Sequence, residues 1–166
     1  MLDFNEYHIH HGDCITHMSE LPEDVFDFSV FSPPFPSLYA YTNEECDIGN
    51  SEDFSGDAKL HLSFFYHQLF RVMKPGRAVV VHVMQVPRLK RSGGEGLHDF
   101  RGLNIRIAER AGFVYSYEWS IRKNPQAQAI RTRSRELQFA GLETDRARSR
   151  GALPEFLIKL KLTGST

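Results

Sequence analysis

The sequence predicts a single α/β domain in which strands alternate with amphipathic helices. Residues 25–31 (V-F-D-F-S-V-F) alternate and are rich in β-branched and aromatic residues, which is typical of a strand. Residues 58–73 place apolar side chains at helical spacing, and the apolar run at 77–84 is typical of a buried strand. A second helix and a second alternating strand follow at 100–111 and 113–121. The chain of 166 residues has the length of one domain with a hydrophobic core.

The first segments of the chain are short. Residues 6–10 (E-Y-H-I-H) alternate, which predicts a strand, and a helical turn is predicted over 15–21, before the break at Pro22. Asp13 is placed to cap that helical turn. Histidines are frequent here, but no second group of Cys, Asp or Glu follows at metal spacing, so no metal site is predicted. These histidines are His8, His10, His11 and His17.

The strand at 25–31 runs directly into Ser32-Pro33-Pro34-Phe35. Proline cannot donate to a sheet ladder, so the strand must stop at Ser32, and the two rings fix φ at consecutive residues. In open α/β sheets, ligands bind in the crevice beyond the carboxyl ends of the strands. We therefore predict that this turn is a rigid part of a functional site, and an ordinary proline-rich loop is the alternative.

The later elements have clear boundaries. Lys74-Pro75-Gly76 is expected to end the helix at 58–73, and Asp99 and Gly112 are expected to cap the start and the end of the helix at 100–111. The final strand is predicted at 155–162. The glycines between 93 and 96 lie several residues past a strand and do not have the spacing of a dinucleotide-binding fingerprint.

Charge is divided unevenly along the chain. Residues 1–86 carry a balance of −9, residues 87–150 carry +7, and the net charge of the whole chain is −1. A basic half suggests an anionic partner, most commonly nucleic acid, although solvated helix faces are the alternative. No apolar run has the roughly 18 residues of a membrane span. The acidic amino terminus lacks the features of a signal peptide, and Cys14 and Cys46 have no paired spacing, which predicts reduced thiols in a cytoplasmic protein.

Ser32-Pro33-Pro34-Phe35 resembles the catalytic motif of the amino-group DNA methyltransferases, (Asp/Asn/Ser)-Pro-Pro-(Tyr/Phe). These enzymes transfer a methyl group from S-adenosylmethionine (AdoMet) to the exocyclic amine of adenine N6 or cytosine N4. The resemblance implies that Ser32 and a carbonyl of Pro33 or Pro34 accept the two amine N–H bonds, while Phe35 stacks on the base. Such catalysis depends on positioning and electrostatics and needs no covalent nucleophile. The target base must first leave the duplex.

Further stretches resemble the same family. The Gly12-Asp13-Cys14 step resembles the stretch that lies beside the AdoMet adenine, which implies cofactor contacts for Asp13, Cys14 and Ser32 and no metal. The helix, the Lys-Pro-Gly step and the strand at 77–84 resemble the later part of the family's sheet. The resemblance implies a partial Rossmann-like AdoMet-dependent methyltransferase sheet with helices on both faces. It also implies a carboxyl-terminal antiparallel hairpin of 113–121 and 155–162.

DNA contacts are expected in the loop after Phe35 and in the basic segment at 122–150. The stretches R-K-N-P, Q-x-x-R-T and S-R-x-x-L-P-E resemble phage-type members of the family. Arginine and lysine suit phosphate contacts, glutamine can read base edges, and tyrosines can form the wall of a base pocket. The candidate residues for contacts with double-stranded DNA are Tyr39, Tyr41, Arg122, Lys123, Gln128, Arg131, Arg133, Arg135 and Arg150.

The sequence departs from the family at its end, because it has no Asp-Pro-Phe-x-Gly-x-Gly motif after residue 162. The resemblance then implies that the strands that hold the methionine and ribose of AdoMet are absent. A truncated reading frame, a shortened form or one half of a split enzyme would explain this. A second chain or a homodimer would have to complete the AdoMet site, and an exposed edge strand is expected.

Two functions are therefore expected from this sequence. The first is a site-specific DNA methyltransferase of the restriction-modification type, and the second is a DNA-binding remnant of such an enzyme that no longer binds AdoMet. Methylation of a glutamine amide in a protein would use the same Pro-Pro chemistry, but the basic segment argues against it. The Ser-Pro-Pro form of the motif slightly favours cytosine N4 as the methylated amine. The choice between cytosine N4 and adenine N6 stays open.

Overall fold

The computed structural model describes residues 7–36, 41–43, 47–51, 56–88, 96–124 and 153–163. A 3₁₀ turn (Ile48–Asn50) lies between the first strand and the second helix. The helices are α1 (Cys14–Glu20), α2 (Asp57–Val72) and α3 (Phe100–Ala111). The strands are β1 (Phe26–Phe31), β2 (Met73–Met84), β3 (Val86–Pro87), β4 (Leu97–His98), β5 (Val114–Ser120) and β6 (Glu155–Lys161).

The main sheet of the described residues has the order β1-β2-β6-β5, and β3 pairs with β4 in a separate short ribbon. β1 runs parallel to β2, whereas β6 is antiparallel to both β2 and β5. The predicted carboxyl-terminal antiparallel hairpin is therefore confirmed as β5 and β6. β1 and β2 both have their carboxyl ends at one edge of the sheet, and Ser32 follows β1 at that edge.

The core lies between the sheet and the helices. Val79, Val81 and Val83 of β2 are fully buried against the apolar sides of α2 and α3, and α1 contributes Met18 to the same cluster. The sequence predicts helices on both faces, whereas α2 and α3 of the described residues pack against each other on one face. Alternation along β2 explains this arrangement, because the buried valines occupy every second position.

The second face of the sheet, called the open face here, carries side chains that the described helices do not cover. The register places Val30, Val80, Lys159 and Tyr117 in one row across β1, β2, β6 and β5. Val30 is 65% exposed and Tyr117 is 57% exposed. The neighbouring rows carry Phe28, which is 58% exposed, and Trp119. An apolar surface of this kind on a sheet is a candidate for association.

The predicted caps of α3 are confirmed. The Asp99 side chain accepts a hydrogen bond from the backbone N–H of Gly102 at 2.9 Å, which satisfies one donor of the first turn. Gly112 ends the helix with φ of 111°, a conformation that favours glycine. A Cβ atom at Gly112 would also lie 2.8 Å from the ring of Phe70. Both the backbone and the close approach of Phe70 therefore require glycine here.

Two predicted boundaries are wrong. Residues 7–10 are not a strand, because alternation forms a strand only when a neighbouring strand supplies hydrogen bonds, and none of the described strands pairs with them. β2 begins at Met73 instead of residue 77, because Met73 already pairs with Phe26 of β1. Gly76, with φ of 77°, donates from its N–H to the carbonyl of Leu162 at 3.2 Å. None of the described helices is long and apolar enough to cross a membrane.

Candidate functional site

A pocket of about 520 Å³ lies at the carboxyl end of β1. Four pieces of the chain line it: the start of α1, the end of β1 with the Pro-Pro turn, the 3₁₀ turn, and the first half of α2. Its lining residues are Gly12, Asp13, Cys14, Ile15, Phe31, Ser32, Pro33, Pro34, Asp47, Ile48, His61, Leu62, Phe64 and Phe65. The pocket thus brings together the two stretches that sequence reasoning selected, Gly12-Asp13-Cys14 and Ser32-Pro33-Pro34.

The Pro-Pro turn is held firmly by its neighbours. Phe31 packs edge-on against Phe65 of α2, with 4.8 Å between the ring centroids, and Pro33 is buried. Ser32 is exposed and faces solvent at the pocket. A residue before proline is restricted to extended conformations, so Ser32 continues the direction of β1. The hydroxyl of Ser32 and the carbonyl oxygens of the prolines are hydrogen-bond acceptors at this edge.

Phe35 does not line the pocket with the residues before it. Its half-buried ring lies 5.7 Å from the ring of Phe100 at the start of α3, with 57° between the two planes. One part of the ring is therefore used to pack the turn against α3. The role of Phe35 in stacking on a base stays a prediction.

Asp13 caps α1, as predicted. Its Oδ2 accepts hydrogen bonds from the backbone N–H and the hydroxyl of Thr16, both at 2.7 Å. The backbone N–H of Thr16 is the main reason why the pKa of Asp13 lies below its usual range, and the charge of His61 adds a smaller effect in the same direction. The carboxylate is therefore ionised at neutral pH and presents a negative charge to the pocket. Because both bonds use Oδ2, the cap is compatible with a ligand contact at Oδ1.

The Cys14 thiol is a poor candidate for a nucleophile. Partial burial and then the neighbouring charge of Asp13 raise the pKa of Cys14, so the thiol stays protonated at neutral pH. A contact of Cys14 with a cofactor stays a prediction. Among the described residues, no group of His, Cys, Asp and Glu has the arrangement of a metal site.

Asp47 is a pocket residue that sequence reasoning did not select. Its Oδ2 accepts from the backbone N–H groups of Tyr41 and Thr42, each at 2.7 Å, and its Oδ1 accepts from Gly49 at 2.8 Å. Burial alone would raise the pKa of Asp47, but these backbone donors hold it below its usual range. Asp47 therefore fixes the backbone of Tyr41 beside the pocket. An Asp two residues before a glycine is the turn signal that could have identified it.

Sequence reasoning also missed three pocket residues of α2, because their positions are those of an ordinary amphipathic helix. They are His61, Phe64 and Phe65. They share one side of α2 by helical spacing, and that side meets the pocket. Phe65 packs against Phe31, whereas Phe64 is 56% exposed. Nothing in the local sequence distinguishes these residues from core residues, so only the tertiary contacts identify them.

A charged cluster lies on the open face near the same edge of the sheet. Nε2 of His82 in β2 contacts Oε1 of Glu155 in β6, and Nζ of Lys123 contacts Oε2 of the same carboxylate. Glu155 is only 7% exposed. Burial and then the charge of Lys123 hold the pKa of His82 below its usual range. Lys123 is therefore paired with a buried carboxylate, and its role in DNA binding stays a prediction.

The structure places only some of the predicted DNA contacts. Tyr41 and Arg122 are exposed, and Tyr41 is held near the pocket by Asp47. Arg122 and Lys123 both follow β5, so they lie at the same end of the sheet. The other candidates lie outside the described residues; they are Tyr39, Gln128, Arg131, Arg133, Arg135 and Arg150.

Comparison with known proteins relates the fold to methyltransferases. A candidate DNA modification methylase of Thermus thermophilus has 17% sequence identity and a TM-score of 0.64, over 93% of this chain and 53% of that protein. The same protein complexed with S-adenosyl-L-methionine gives a TM-score of 0.61. The cytosine-N4-specific PvuII DNA methyltransferase has 17% identity and a TM-score of 0.56, over 90% of this chain and 47% of that protein. No protein-family model matches the chain, and no curated protein matches it in sequence.

The chain spans about half the length of these solved structures. At this level of identity the likeness concerns the fold. The described residues adopt part of the α/β fold of AdoMet-dependent methyltransferases, with the antiparallel hairpin at one side of the sheet. The predicted fold class is therefore confirmed.

Proposed function

We propose that this chain is a DNA methyltransferase, or a part of one, that transfers a methyl group from AdoMet to the exocyclic amine of cytosine or adenine. The observation that carries the proposal is the shared pocket of Asp13 and Ser32, which lie on separate elements and meet at the carboxyl end of β1. Ligands of α/β sheets bind at such an edge. Structural likeness to methyltransferases that include a cytosine-N4 enzyme supports the same reaction class.

The pocket suits a cofactor such as AdoMet. Its volume of about 520 Å³ is within the range of roughly 300–1,000 Å³ that is common for small-molecule sites. Apolar side chains of Ile15, Ile48 and Phe65 line it, and the Asp13 carboxylate supplies a fixed acceptor. AdoMet supplies an electrophilic methyl group on a sulfonium centre. Asp13 would bind the nucleoside part, and Cys14 and Ser32 would complete the contacts from this chain.

The Pro-Pro turn would position the target amine. An exocyclic amine is a weak nucleophile because its lone pair is delocalised into the ring. Ser32 and a proline carbonyl accept its two N–H bonds and direct the lone pair toward the methyl group, and Phe35 contacts the ring of the base. This arrangement catalyses by orientation, which can lower a barrier by several kcal/mol.

Duplex DNA is the proposed partner. Tyr41 and Arg122 are the exposed described residues that would contact it, together with the predicted basic residues between 128 and 150. β1 stands at one end of the sheet order, so a further strand beside it, from a second chain or a homodimer, would extend the sheet next to the pocket. Such a strand would complete the AdoMet site.

The experiment that tests the proposal is calorimetric titration of the 166-residue chain with AdoMet, followed by transfer of labelled methyl groups to duplex DNA. Asp13→Ala should abolish AdoMet binding, whereas Ser32→Ala should weaken it far less and lower methyl transfer by about 100-fold, the usual effect of one positioned hydrogen-bonding group. His67→Ala, on the exposed side of α2, is the matched control. Equal activity of Ser32→Ala and the unchanged chain would contradict the proposal.

The second candidate function is DNA binding without AdoMet binding. The observation that favours it is the balance of +7 over residues 87–150, which suits an anionic partner. It predicts salt-dependent DNA affinity, which Arg131→Ala, Arg133→Ala and Arg135→Ala together should reduce. Unchanged DNA affinity in that triple variant would rule it out.

A further inference from the structure

His82 and Ser32 share the open face of the sheet. Val30 of β1 pairs with Val80 of β2, and Ser32 and His82 each lie two residues farther along their strands. Pro33 keeps Ser32 extended, so side-chain alternation continues through Ser32. Neighbouring strands are about 5 Å apart. His82 is therefore the residue of β2 beside Ser32, at the rim of the pocket and outside the set of residues that line it.

The contacts of His82 determine which ring nitrogen carries hydrogen. Nε2 contacts a carboxylate oxygen of Glu155, and an ionised carboxylate accepts hydrogen bonds but cannot donate them. The positive charge of Lys123 favours the ionised form of Glu155, so Nε2 is assigned the hydrogen and Nδ1 of the neutral ring keeps its lone pair. The other oxygen of Glu155 contacts Lys123, whose positive charge balances the carboxylate.

The surroundings of His82 favour the neutral ring. Burial and the charge of Lys123 hold the pKa of His82 below its usual range. In the rows at and beside His82, the charged side chains of the neighbouring strands are Glu155 and Lys159 of β6, and Lys123 follows β5. A neutral imidazole with one free lone pair is a proton acceptor at neutral pH.

The proposed reaction requires such an acceptor. When the amine nitrogen bonds to the methyl group, the methyl–sulfur bond breaks and its electron pair stays on sulfur. The nitrogen then carries a positive charge and must release one proton. Three other side chains of the pocket could hold a proton: Asp13 caps α1, Asp47 holds the backbone of Tyr41, and His61 of α2 lies close enough to Asp13 for its charge to act on that carboxylate. Neither Pro33 nor Pro34 has a titratable group.

We propose that His82 accepts the proton that leaves the target amine, through Nδ1, either directly or through the Ser32 hydroxyl. Glu155 and Lys123 are positioning residues that hold the Nε2–H form of the ring. This inference rests on the proposed methyl transfer and adds a residue that the Pro-Pro motif does not contain. After each turnover the imidazolium returns its proton to solvent at the exposed edge.

The first test does not depend on activity. Nitrogen NMR of the ¹⁵N-histidine-labelled full chain, with His82 identified by its loss in His82→Gln, reports the tautomer. We expect the Nε2–H form in the unchanged chain and a mixture of both forms in Glu155→Gln. A neutral His82 that carries its hydrogen on Nδ1 would overturn the proposal, whether or not methylation is observed.

The second test measures single-turnover methyl transfer as a function of pH. General base catalysis contributes roughly 100-fold to 10,000-fold, so His82→Gln should lower the rate by about 100-fold and remove the pH-dependent step, with AdoMet binding unchanged. His98→Gln is the matched control, because burial also lowers the pKa of His98, which lies in β4 away from the open face. Equal rates in His82→Gln and His98→Gln would overturn the role of His82 and would leave the proposed methyl transfer standing. An unchanged chain that fails to bind AdoMet would overturn the proposed function as well.

Discussion

The ring of Phe31, the last residue of β1, lies edge-on to the ring of Phe65 in α2, with 4.8 Å between centroids and 66° between planes. This contact joins the end of the strand to the helix that forms one wall of the pocket. Edge-to-face aromatic pairs contribute about 1 kcal/mol beyond the burial of their area. The direction in which the chain enters the Pro-Pro turn therefore depends on an aromatic residue of α2.

Phe65→Ala should lower the free energy of unfolding by about 2 kcal/mol, less than a fully buried phenylalanine would lose, because Phe65 is half-buried. It should also weaken AdoMet binding, since the end of β1 loses its support. Urea denaturation and calorimetry measure the two effects. Phe64→Ala, at the exposed neighbouring position, should change stability by less than about 0.5 kcal/mol. Equal destabilisation by both variants would contradict this interpretation.

Asp13 has two separable roles, one in capping and one in the proposed ligand contact. Asp13→Asn keeps a capping side chain and should preserve stability while it weakens AdoMet binding. Asp13→Ala should lose both the cap, worth about 1 kcal/mol, and AdoMet binding.

The charge of Asp13 also makes stability depend on pH. Because the folded pKa of Asp13 lies below its ordinary value of 3.8, its contribution to the free energy of unfolding is complete above that value and disappears as the pH falls through the folded pKa. Thermal unfolding from about pH 2 to about pH 6 should therefore show a shallower acid decline in Asp13→Asn. Identical pH profiles would exclude this contribution.

The buried pair of Tyr66 and Asn104 joins α2 to α3. The Tyr66 hydroxyl donates to Oδ1 of Asn104 at 2.9 Å, and Nδ2 of Asn104 donates to the carbonyl of Phe100 at 2.8 Å. Burial raises the pKa of Tyr66 far above its usual range, so the hydroxyl remains a donor. Tyr66→Phe should cost about 1–3 kcal/mol, because Oδ1 loses this donor in the core. In a double-mutant cycle measured by urea denaturation, Tyr66→Phe combined with Asn104→Leu should cost less than the sum of the single changes; strict additivity would show that the pair is not coupled.

The open face should cause the chain to associate at high concentration. Val30→Lys places a charge on this face at an exposed position and should reduce association without changing the free energy of unfolding by more than about 0.5 kcal/mol. Sedimentation velocity over a range of protein concentrations measures the effect. Val81→Lys, one strand away on the buried side, should instead unfold the chain, because it places an unpaired charge in the core. Association that is unaffected by Val30→Lys would assign it to another surface.

Local sequence signals account for most of the fold. The bounds of α3 follow from Asp99 and Gly112, and the alternation along β6 reflects burial of Ile158 and Leu160 on one face of the sheet. The predicted strand at 6–10 fails because alternation is a property of a paired strand, and the described strands offer residues 7–10 no partner. The early start of β2 depends on pairing between Met73 and Phe26, which are far apart in sequence.

The candidate site could be predicted only in part. Ser32, Pro33 and Pro34 have a spacing that is unusual enough to select them, and Asp13 belongs to a recognisable turn. Asp47 belongs to a turn that its sequence indicates, but neither its local sequence nor that of His61 shows that the two residues line the same pocket. His82, Glu155 and Lys123 come together only when β2, β5 and β6 assume their register, so no linear pattern could identify them.

Pro33 and Pro34 also determine which chemical groups the turn can recognise. Neither residue has a backbone N–H, so the turn offers carbonyl oxygens to a bound ring and no amide donors of its own. Cytosine and adenine present an amino group at the edge concerned, whereas thymine and guanine present a carbonyl oxygen. A keto base would place its oxygen against the proline carbonyl oxygens, and only the Ser32 hydroxyl could donate to it. In the proposed reaction, the two rings that make the turn rigid would thus also favour amino bases over keto bases.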